Sequence, residues 1–384
     1  MPIRPGNRVT LLESGAEFFP ALIGAIDGAR HEVHLESYIF ELDETGQAVI
    51  ASLLAAARRG VRVRVLLDGF GARGFPASTA KALRAAGIAL LRYRPEASPY
   101  RLRRHRLRRM HRKLAVIDAC VAFVGGINII DDCNAPGRPN HRYDYTVRVE
   151  GPLLRDIYPA VRRLWWLVRW SRLGRRPGPS RPLPVVAAPA GTCRAEFVQR
   201  DNLRHRRAIE EAYLAALAGA REEIFIANAY FLPGRRFRQA LIDAAGRGVR
   251  VVLVLQGRTD HRLFQLAARA LYRYFLEHGI EIYEYHASEL HAKAAVVDGH
   301  WATVGSSNID PFSLLLAREA NVVVHDREFA ERLRASLGHA LQRGAHAIQR
   351  QAWRHIPWYQ RAASWVGYGL IRLAMGVVGL VSRE

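Results

Sequence analysis

Lysine is almost absent from this chain, although the chain is strongly basic. Lys81, Lys113 and Lys293 are the only lysines among 57 basic residues, and every other basic residue is arginine. The ammonium of lysine is a compact charge, whereas the guanidinium of arginine is a planar fork. Because this sequence uses arginine nearly everywhere, we expect a lysine to mark a position that requires the compact group.

Cysteine is also scarce, and the N-terminus lacks an apolar stretch. Cys120, Cys133 and Cys193 form no CxxC pair and no even set, which excludes a disulfide framework and a cysteine-based structural zinc site. This usage favours a reducing compartment. Because no apolar segment followed by a cleavage site opens the chain, we expect no secretory signal peptide and a start in the cytoplasm.

Length and composition indicate a folded protein of several domains. A chain of 384 residues corresponds to two to three domains at about 100 to 200 residues each. The hydrophobic content of 49% is that of ordinary globular proteins and excludes a disordered or collagen-like chain. The formal net charge of +22 draws the chain toward polyanions, either nucleic acid or an anionic lipid surface, without choosing between them.

The chain contains an internal repeat. GVRVRVLLDG at 60–69 matches GVRVVLVLQG at 248–257, and HRKLAVIDACVAFVGGIN at 111–128 matches HAKAAVVDGHWATVGSSN at 291–308. Both copies of the longer segment have the pattern HxK, four residues, Asp, six residues, Gly, two residues, Asn. The repeat indicates two similarly folded halves.

Each half alternates apolar strand patterns with Ala-rich helical patterns, which predicts βαβ units. The predicted fold class is therefore α/β, with two tandem domains that each have a mixed sheet flanked by helices. Asp118-Ala119 and Asp298-Gly299 are expected in tight hairpin turns. The Pro/Gly/Arg-rich stretch at 174–184 is typical of a linker. We predict a first domain at 1–173, a linker at 174–195, a second domain at 196–345 and a membrane-associating tail at 346–384.

The histidine and lysine of each HxK motif are the strongest candidates for catalytic residues. His111 and Lys113 are two positions apart on a predicted strand, as are His291 and Lys293, so alternation places each pair on one face. If the halves are related by a pseudo-two-fold axis, both motifs meet at one seam. The resulting pocket suits a phosphate diester.

The chemistry of that pocket follows from its residue types. One neutral imidazole can attack phosphorus and form a phosphohistidine while the other, protonated, donates to the departing alkoxide. Lys113 and Lys293 would neutralise the non-bridging oxygens, and Asn128 and Asn308 would donate hydrogen bonds to them. This scheme requires no metal and no cofactor.

The two intact motifs resemble those of the phospholipase D superfamily, whose members cleave or transfer phosphodiesters. With ESYIF near Glu36, GGIN at 125–128, GSSN at 305–308 and a short N-terminus, the chain is similar over residues 8–340 to bacterial cardiolipin synthases of the B type. The resemblance implies that the motif residues are catalytic, that two domains meet at the active site, and that one motif histidine is the nucleophile. By analogy we assign attack to His111, with His291 as the alternative.

The resemblance also implies roles for residues around the histidines. Asp118 and Asp298 belong to the catalytic motif, although a purely structural role in the turns is the alternative. Asp144 and Glu319 are expected to orient the imidazoles, because related enzymes have an acidic residue 25 to 35 positions after each motif histidine. Ser306, which replaces Gly126 of the first copy, is expected to offer the phosphate an extra hydroxyl.

Three segments suggest a lipid surface. Residues 161–170, VRRLWWLVRW, mix Trp with Arg as interfacial helices do, although a core helix is the alternative. Residues 365–381 carry one charge but fall short of the roughly 20 residues that span a bilayer, which favours an interfacial or re-entrant anchor over a tail that packs on the protein or spans at a tilt. The basic run at 100–113 could form a collar for anionic headgroups.

These observations predict a phosphatidyltransferase that joins two phosphatidylglycerol molecules into cardiolipin and glycerol. We expect it at the cytoplasmic face of the inner membrane, peripheral or monotopic, with anionic phospholipid as its partner. A hydrolase acting on phospholipid or nucleic acid is the alternative, because water is an acceptor for the same chemistry. A non-catalytic phosphate binder is disfavoured because both motifs are intact. The sequence carries no signal for an oligomeric state.

Overall fold

The two sequence repeats form two half-sheets, as a computed structural model shows for residues 2–95, 108–131, 142–173, 181–258, 262–354 and 357–377. The elements of the first half are β1 (Arg4–Glu13), α1 (Ser14–Asp27), β2 (Glu32–Ser37), α2 (Glu44–Arg58), β3 (Arg62–Asp68), α3 (Ala77–Ala85), β4 (Ala89–Tyr93), β5 (Lys113–Ile117), β6 (Val121–Gly125), β7 (Tyr145–Glu150) and α4 (Leu154–Leu173).

The second half repeats this succession and adds a C-terminal extension. Its elements are β8 (Cys193–Arg200), α5 (Ala208–Gly219), β9 (Glu223–Asn228), α6 (Arg235–Gly246), β10 (Arg250–Gln256), α7 (Arg262–Ala270), α8 (Tyr272–Glu277), β11 (Glu281–Tyr285), β12 (Lys293–Val297), β13 (Trp301–Gly305), α9 (Pro311–Leu315), β14 (Glu319–His325), α10 (Arg327–Gly344), β15 (Ala345–Ala347), α11 (Arg350–Arg354) and α12 (Trp358–Val377).

Strand order confirms the predicted duplication. The first half has the order β4-β3-β2-β5-β6-β7-β1, and the second has β11-β10-β9-β12-β13-β14-β8 with β15 added beside β11. In each half the three strands of the βαβ region are parallel and the strands of the HxK region are antiparallel. The α/β class with two mixed sheets is therefore confirmed.

The two half-sheets join into one sheet, which the sequence did not predict. β1 pairs with β8 in antiparallel fashion, with Arg4 opposite Ala195 and Asn7 opposite Cys193. One buried cluster is shared by both halves and includes strand residues of both half-sheets together with residues of α4 and α10. Separate clusters lie under α1 to α3 in the first half and under α5 to α8 in the second. The halves thus pack face to face.

The hairpin turns form where the Asp-Ala and Asp-Gly pairs predict them. Asp118 and Ala119 have φ of 50° and 53°, and Asp298 and Gly299 have φ of 50° and 61°. Two successive residues with positive φ are the signature of the tight turn that suits a twisted hairpin. These turns lie at the ends of β5 and β12 opposite the motif lysines.

The boundaries of the predicted linker and tail differ in detail from the structure. β8 begins at Cys193, inside the predicted linker at 174–195, and residues 174–180 lie outside the described part of the chain. In the tail, α12 packs along α7 and buries Ile371 and Met375. Among the described residues, no helix combines the length and apolarity that a membrane crossing demands.

The Trp-rich segment at 161–170 lies in α4 and has two different faces. Val161, Leu164 and Trp165 are buried, as a core helix requires. Leu167 and Trp170 are exposed, so part of the helix remains available to an interface. Most of the basic run at 100–113, namely residues 100–107, lies outside the described residues. The collar hypothesis therefore stays a prediction.

Candidate active site

Main-chain bridges between the halves position the two HxK motifs. Met110, just before the first motif, bridges Arg318 of the second half, and the His111 N–H donates to the Arg318 carbonyl at 2.9 Å. Symmetrically, Leu290 bridges Tyr143 of the first half, and the His291 N–H donates to the Tyr143 carbonyl at 2.8 Å. Each motif is therefore held beside the segment that precedes the acidic residue of the other half.

As a result, each histidine contacts the carboxylate of the opposite half. His111 Nδ1 lies 3.0 Å from Glu319 Oε1, and His291 Nδ1 lies 2.5 Å from Asp144 Oδ2. Both carboxylates are buried. A carboxylate that accepts from Nδ1–H fixes the tautomer in which Nε2 carries the lone pair. Asp144 and Glu319 thus occupy the predicted orienting positions, but the pairs cross between halves, which the sequence did not reveal.

The two motif lysines are buried beside the histidines. Lys113 Nζ donates to the His111 carbonyl at 2.7 Å, and Lys293 Nζ lies 2.8 Å from His291 Nδ1 and 3.7 Å from Asp144 Oδ2. Burial, with a smaller contribution from the charge of Lys293, lowers the pKa of Lys113 to about 7, and burial lowers that of Lys293 to about 8. The influence of Lys293 on Lys113 extends from one motif to the other, as a shared site requires.

The same buried surroundings shift the pKa values of the histidines and of Asp144. Burial lowers the pKa of His111 and lowers that of His291 strongly, with the nearby lysine charges adding to the effect. Burial raises the pKa of Asp144 to about 6, against the opposing influence of Lys293. The site therefore favours neutral imidazoles, while a bound anion would favour protonation of the imidazoles and lysines.

The two motif asparagines lie buried next to the motif strands. Asn128 Oδ1 accepts from the Ile39 N–H at 3.1 Å, which leaves its Nδ2 group as the donor. Asn308 Oδ1 is buried and has no hydrogen-bond partner within the described ranges. Their predicted role as phosphate donors stays a prediction.

Ser306 requires a correction. Its Oγ donates to Glu319 Oε2 at 2.5 Å and accepts from the Ala320 N–H at 3.1 Å. A hydroxyl has one proton, so the proton of Ser306 is directed at Glu319 rather than at a phosphate. Ser306 therefore holds the carboxylate that contacts His111. In the first half, Gly126 occupies the equivalent position because a Cβ there would collide with the Asp144 carboxylate.

The motif aspartates also require a correction, because they do not lie in the site. Asp118 accepts from the backbone N–H groups of 30–32 at 2.7 to 2.8 Å, and Asp298 accepts from those of 221–223 at 2.8 to 2.9 Å. Each is separated from its motif lysine by a five-residue strand, roughly 16 Å at 3.3 Å per residue. Their catalytic assignment is replaced by the structural alternative, since they tie the turns to the starts of β2 and β9.

Sequence reasoning did not assign a role to Tyr38 or Arg142. The Tyr38 ring lies 4.8 Å from the His111 ring, edge on, and Lys113 Nζ lies 5.3 Å from its centroid. Arg142 pairs with Glu289 at 3.2 Å, and its charge lowers the pKa of His291. The quoted ESYIF segment contained Tyr38, but only the fold brings it beside the histidine.

The described residues show no metal site. Nowhere in the described ranges do three His, Cys, Asp or Glu side chains gather closely enough to hold an ion. What the site offers instead is two imidazoles, each with a carboxylate on Nδ1, and two buried ammonium groups. Such an arrangement can form and break a phosphorus–nitrogen bond while neutralising phosphate oxygens.

Comparisons with known proteins place these features in context. The family model for the phospholipase D-like domain of cardiolipin synthases matches residues 22–158 and 213–341. The chain is 39% identical to cardiolipin synthase B of Escherichia coli, over 98% of this chain and 90% of that protein. It is 31% identical to a cardiolipin synthase of Geobacillus kaustophilus, over 84% of this chain and 64% of that protein.

Solved structures support the fold. The crystal structure of phosphatidylserine synthase from Haemophilus influenzae superposes with a TM-score of 0.72 at 12% identity, covering 99% of this chain and 97% of that one. Polyphosphate kinase from Porphyromonas gingivalis superposes with a TM-score of 0.60 at 16% identity, covering 92% of this chain and 53% of that one. At these identities the likeness concerns the fold alone.

Proposed function

Since the chain belongs to the cardiolipin synthase family of phospholipase D-like proteins, we propose that it transfers a phosphatidyl group from one phosphatidylglycerol to a glycerol hydroxyl of another. Cardiolipin and glycerol are the products. The observation that carries this proposal is the single site in which both carboxylate-bound histidines and both buried lysines meet.

The first half-reaction forms a covalent intermediate. His111 Nε2 attacks phosphorus, a phosphorus–nitrogen bond forms, and the bond to the glycerol oxygen breaks. The protonated His291 gives its proton to that oxygen, and glycerol departs. We assign attack to His111 because its side chain is the more exposed of the two, at 18% against 11%. The negative charge of the lipid phosphate favours the protonated form of His291 and offsets its burial.

In the second half-reaction a new phosphorus–oxygen bond forms and the phosphorus–nitrogen bond breaks. A glycerol hydroxyl of the second phosphatidylglycerol gives its proton to His291 and attacks phosphorus, and the phosphorus–nitrogen bond to His111 breaks. Throughout, Lys113 and Lys293 neutralise the non-bridging oxygens, and Asn128 and Asn308 donate hydrogen bonds to them through Nδ2. With water as acceptor, the same sequence gives phosphatidic acid.

Product analysis tests the function. The purified chain is incubated with two phosphatidylglycerols of different acyl mass, and mass spectrometry follows the lipid products. We expect cardiolipin that carries both acyl sets, with one glycerol released per cardiolipin. Phosphatidic acid without cardiolipin would replace the transferase with a phospholipid hydrolase, and cleavage of an oligonucleotide without lipid turnover would establish the nuclease alternative.

We also propose peripheral association with the cytoplasmic face of the membrane through α12. This helix has no acidic residue, and its outer face exposes Trp358 at 74% and Leu373 at 65%. Aromatic and aliphatic side chains beside arginines suit the headgroup boundary. Flotation with phosphatidylglycerol vesicles tests this: Leu370→Ser with Leu373→Ser should weaken binding, whereas Leu203→Ser, at an exposed leucine outside α12, should not. Equal binding of all variants would refute the role of α12.

A further inference from the structure

A groove on the outer side of the second half is lined by arginine and aromatic side chains. It lies between α6, α7, α8 and α12 and has a volume of about 1160 Å³. None of its lining residues belongs to the histidine site. Its described lining contains one acidic residue, Glu277, and five arginines, which are Arg235, Arg238, Arg269, Arg273 and Arg361.

Three of these arginines keep their charge available for a ligand, because Arg238 donates only to the uncharged Pro233 carbonyl and Tyr368 hydroxyl, and two others have no side-chain partner among the described residues. Arg273 pairs with Glu277 and Arg269 pairs with Glu284, each at 2.8 Å, so these two are neutralised. Within the part of the chain that the structure describes, the side chains of Arg235 and Arg361 make no hydrogen bond or ion pair. Arg235 begins α6, and Arg361 belongs to the first turn of α12, so they approach the groove from two walls. Such a pair is suited to an anion.

The remaining lining is apolar and aromatic. Trp365 and Tyr368 of α12 line the groove with their ring centroids 5.6 Å apart. The outer face of α12 exposes Val366, Leu370 and Leu373 as well. An anion held between the arginines therefore lies next to apolar surface, which a free phosphate would not use but an acyl chain would cover.

We propose that this groove binds one molecule of an anionic phospholipid drawn from the membrane, at a site separate from the catalytic site. The phosphate lies between Arg235 and Arg361, and the acyl chains lie along the exposed face of α12. A ligand with both a negative headgroup and apolar chains satisfies the charge and the apolar surface together. This binding does not depend on the transfer reaction.

Calorimetric titration with dihexanoyl-phosphatidylglycerol, below its critical micelle concentration, tests the proposal. The full chain carries His111→Ala and His291→Ala so that the lipid is not consumed. Arg235→Gln with Arg361→Gln removes the charges, and Ala363→Trp fills the groove without changing charge, because Ala363 lines it. Each change should weaken one binding site about tenfold or abolish it.

The controls separate the groove from general charge effects. Arg58→Gln with Arg332→Gln removes the same charge from exposed residues outside the groove and should leave the isotherm unchanged. Dihexanoyl-phosphatidylcholine and glycerol phosphate should bind at least tenfold more weakly than phosphatidylglycerol. Identical isotherms for both groove variants and their parent would overturn the proposal. Binding of glycerol phosphate as tight as that of phosphatidylglycerol would also overturn it.

Two further outcomes are distinguishable. If the groove variants abolish a dimer seen by light scattering and leave lipid binding unchanged, a second copy fills the groove and the lipid proposal is wrong. The transfer activity is tested on the unaltered chain by product analysis. A chain that makes no cardiolipin but shows groove-dependent binding refutes the proposed function and supports the groove, and the reverse pattern refutes the groove alone.

Discussion

Replacing an orienting carboxylate should impair the step performed by the histidine of the opposite half. Glu319 contacts His111 and Asp144 contacts His291, so Glu319→Gln should reproduce the kinetic defect of His111→Ala. Asp144→Asn should instead resemble His291→Ala. Pairing within each repeat would give the opposite grouping.

The expected magnitude follows from the geometry at His111. With Nδ1 3.0 Å from the carboxylate oxygen, the charge centres of an imidazolium and Glu319 are about 4 Å apart. At an effective dielectric constant of about 20, their attraction is about 4 kcal/mol. The Gln variant keeps an acceptor but loses this charge, so the step that builds positive charge on His111 should slow by about a thousandfold.

Rapid-quench measurement with a phosphatidyl donor that has a good leaving group separates the two steps. With His111 as nucleophile, Glu319→Gln should slow formation of the acid-labile phosphohistidine. Asp144→Asn should let the intermediate accumulate, because His291 is then impaired as the base that removes the proton of the acceptor hydroxyl.

Double variants supply the decisive control. In the His111→Ala variant, Glu319 has no imidazole to orient. Adding Glu319→Gln should therefore lower the rate by less than about threefold further. In the His291→Ala background the same change should slow the reaction by its full factor. If Glu319→Gln instead becomes silent in the His291→Ala background, the crossed pairing is wrong.

Further predictions concern the lysines and a buried ion pair. Lys113→Arg or Lys293→Arg should lower turnover by about a hundredfold despite the conserved charge, because the longer planar group displaces the phosphate by about 1 Å; the exposed Lys81→Arg is the control, and near wild-type turnover of both folded variants would contradict this. Since burial holds the lysine pKa values at about 7 and 8, the lysines are largely neutral at higher pH and must take up protons when an anion binds. The inhibition constant of sulfate should therefore rise, by up to about tenfold per pH unit for each lysine, between pH 7 and 9; a flat profile would disprove the coupling. Glu36 and Arg112 form a buried pair. Arg112→Met should lower the free energy of unfolding by about 3–5 kcal/mol, and Glu36→Leu in the same chain should restore it to within about 1 kcal/mol. Urea denaturation measures both, and an additive loss would count against the pair.

The sequence predicted those site features that depend on local spacing. Strand alternation predicted that His111 and Lys113 share one face, although β5 begins only at Lys113, and the repeat predicted that a second such pair would join them. The crossing of the carboxylates could not be predicted in this way. It depends on bridges such as that between Met110 and Arg318, which are more than 200 residues apart and show no pattern in the sequence.

The roles predicted for Asp118 and Ser306 were wrong for a related reason. Asp118 belongs to the motif by spacing, yet an Asp at a tight turn can be retained for backbone hydrogen bonds alone. Ser306 was assigned to the phosphate because an additional hydroxyl is a possible donor. Which acceptor it meets depends on the Glu319 carboxylate, whose position comes from β14 packing beside β13. A donor can be identified from its residue type, but its partner is a property of the fold.

The two halves share a strand order, but their contributions to the site are not equivalent. By strand register, the position of Tyr38 beside His111 is occupied by Ala229 in the second half. Likewise, the carboxylate at His111 is held by Ser306, whereas the equivalent residue in the other half is Gly126. A reaction in which one histidine bears the phosphorus and the other carries protons needs two different environments. Divergence of the repeat at these positions provides them without disturbing the strands that bring the motifs together.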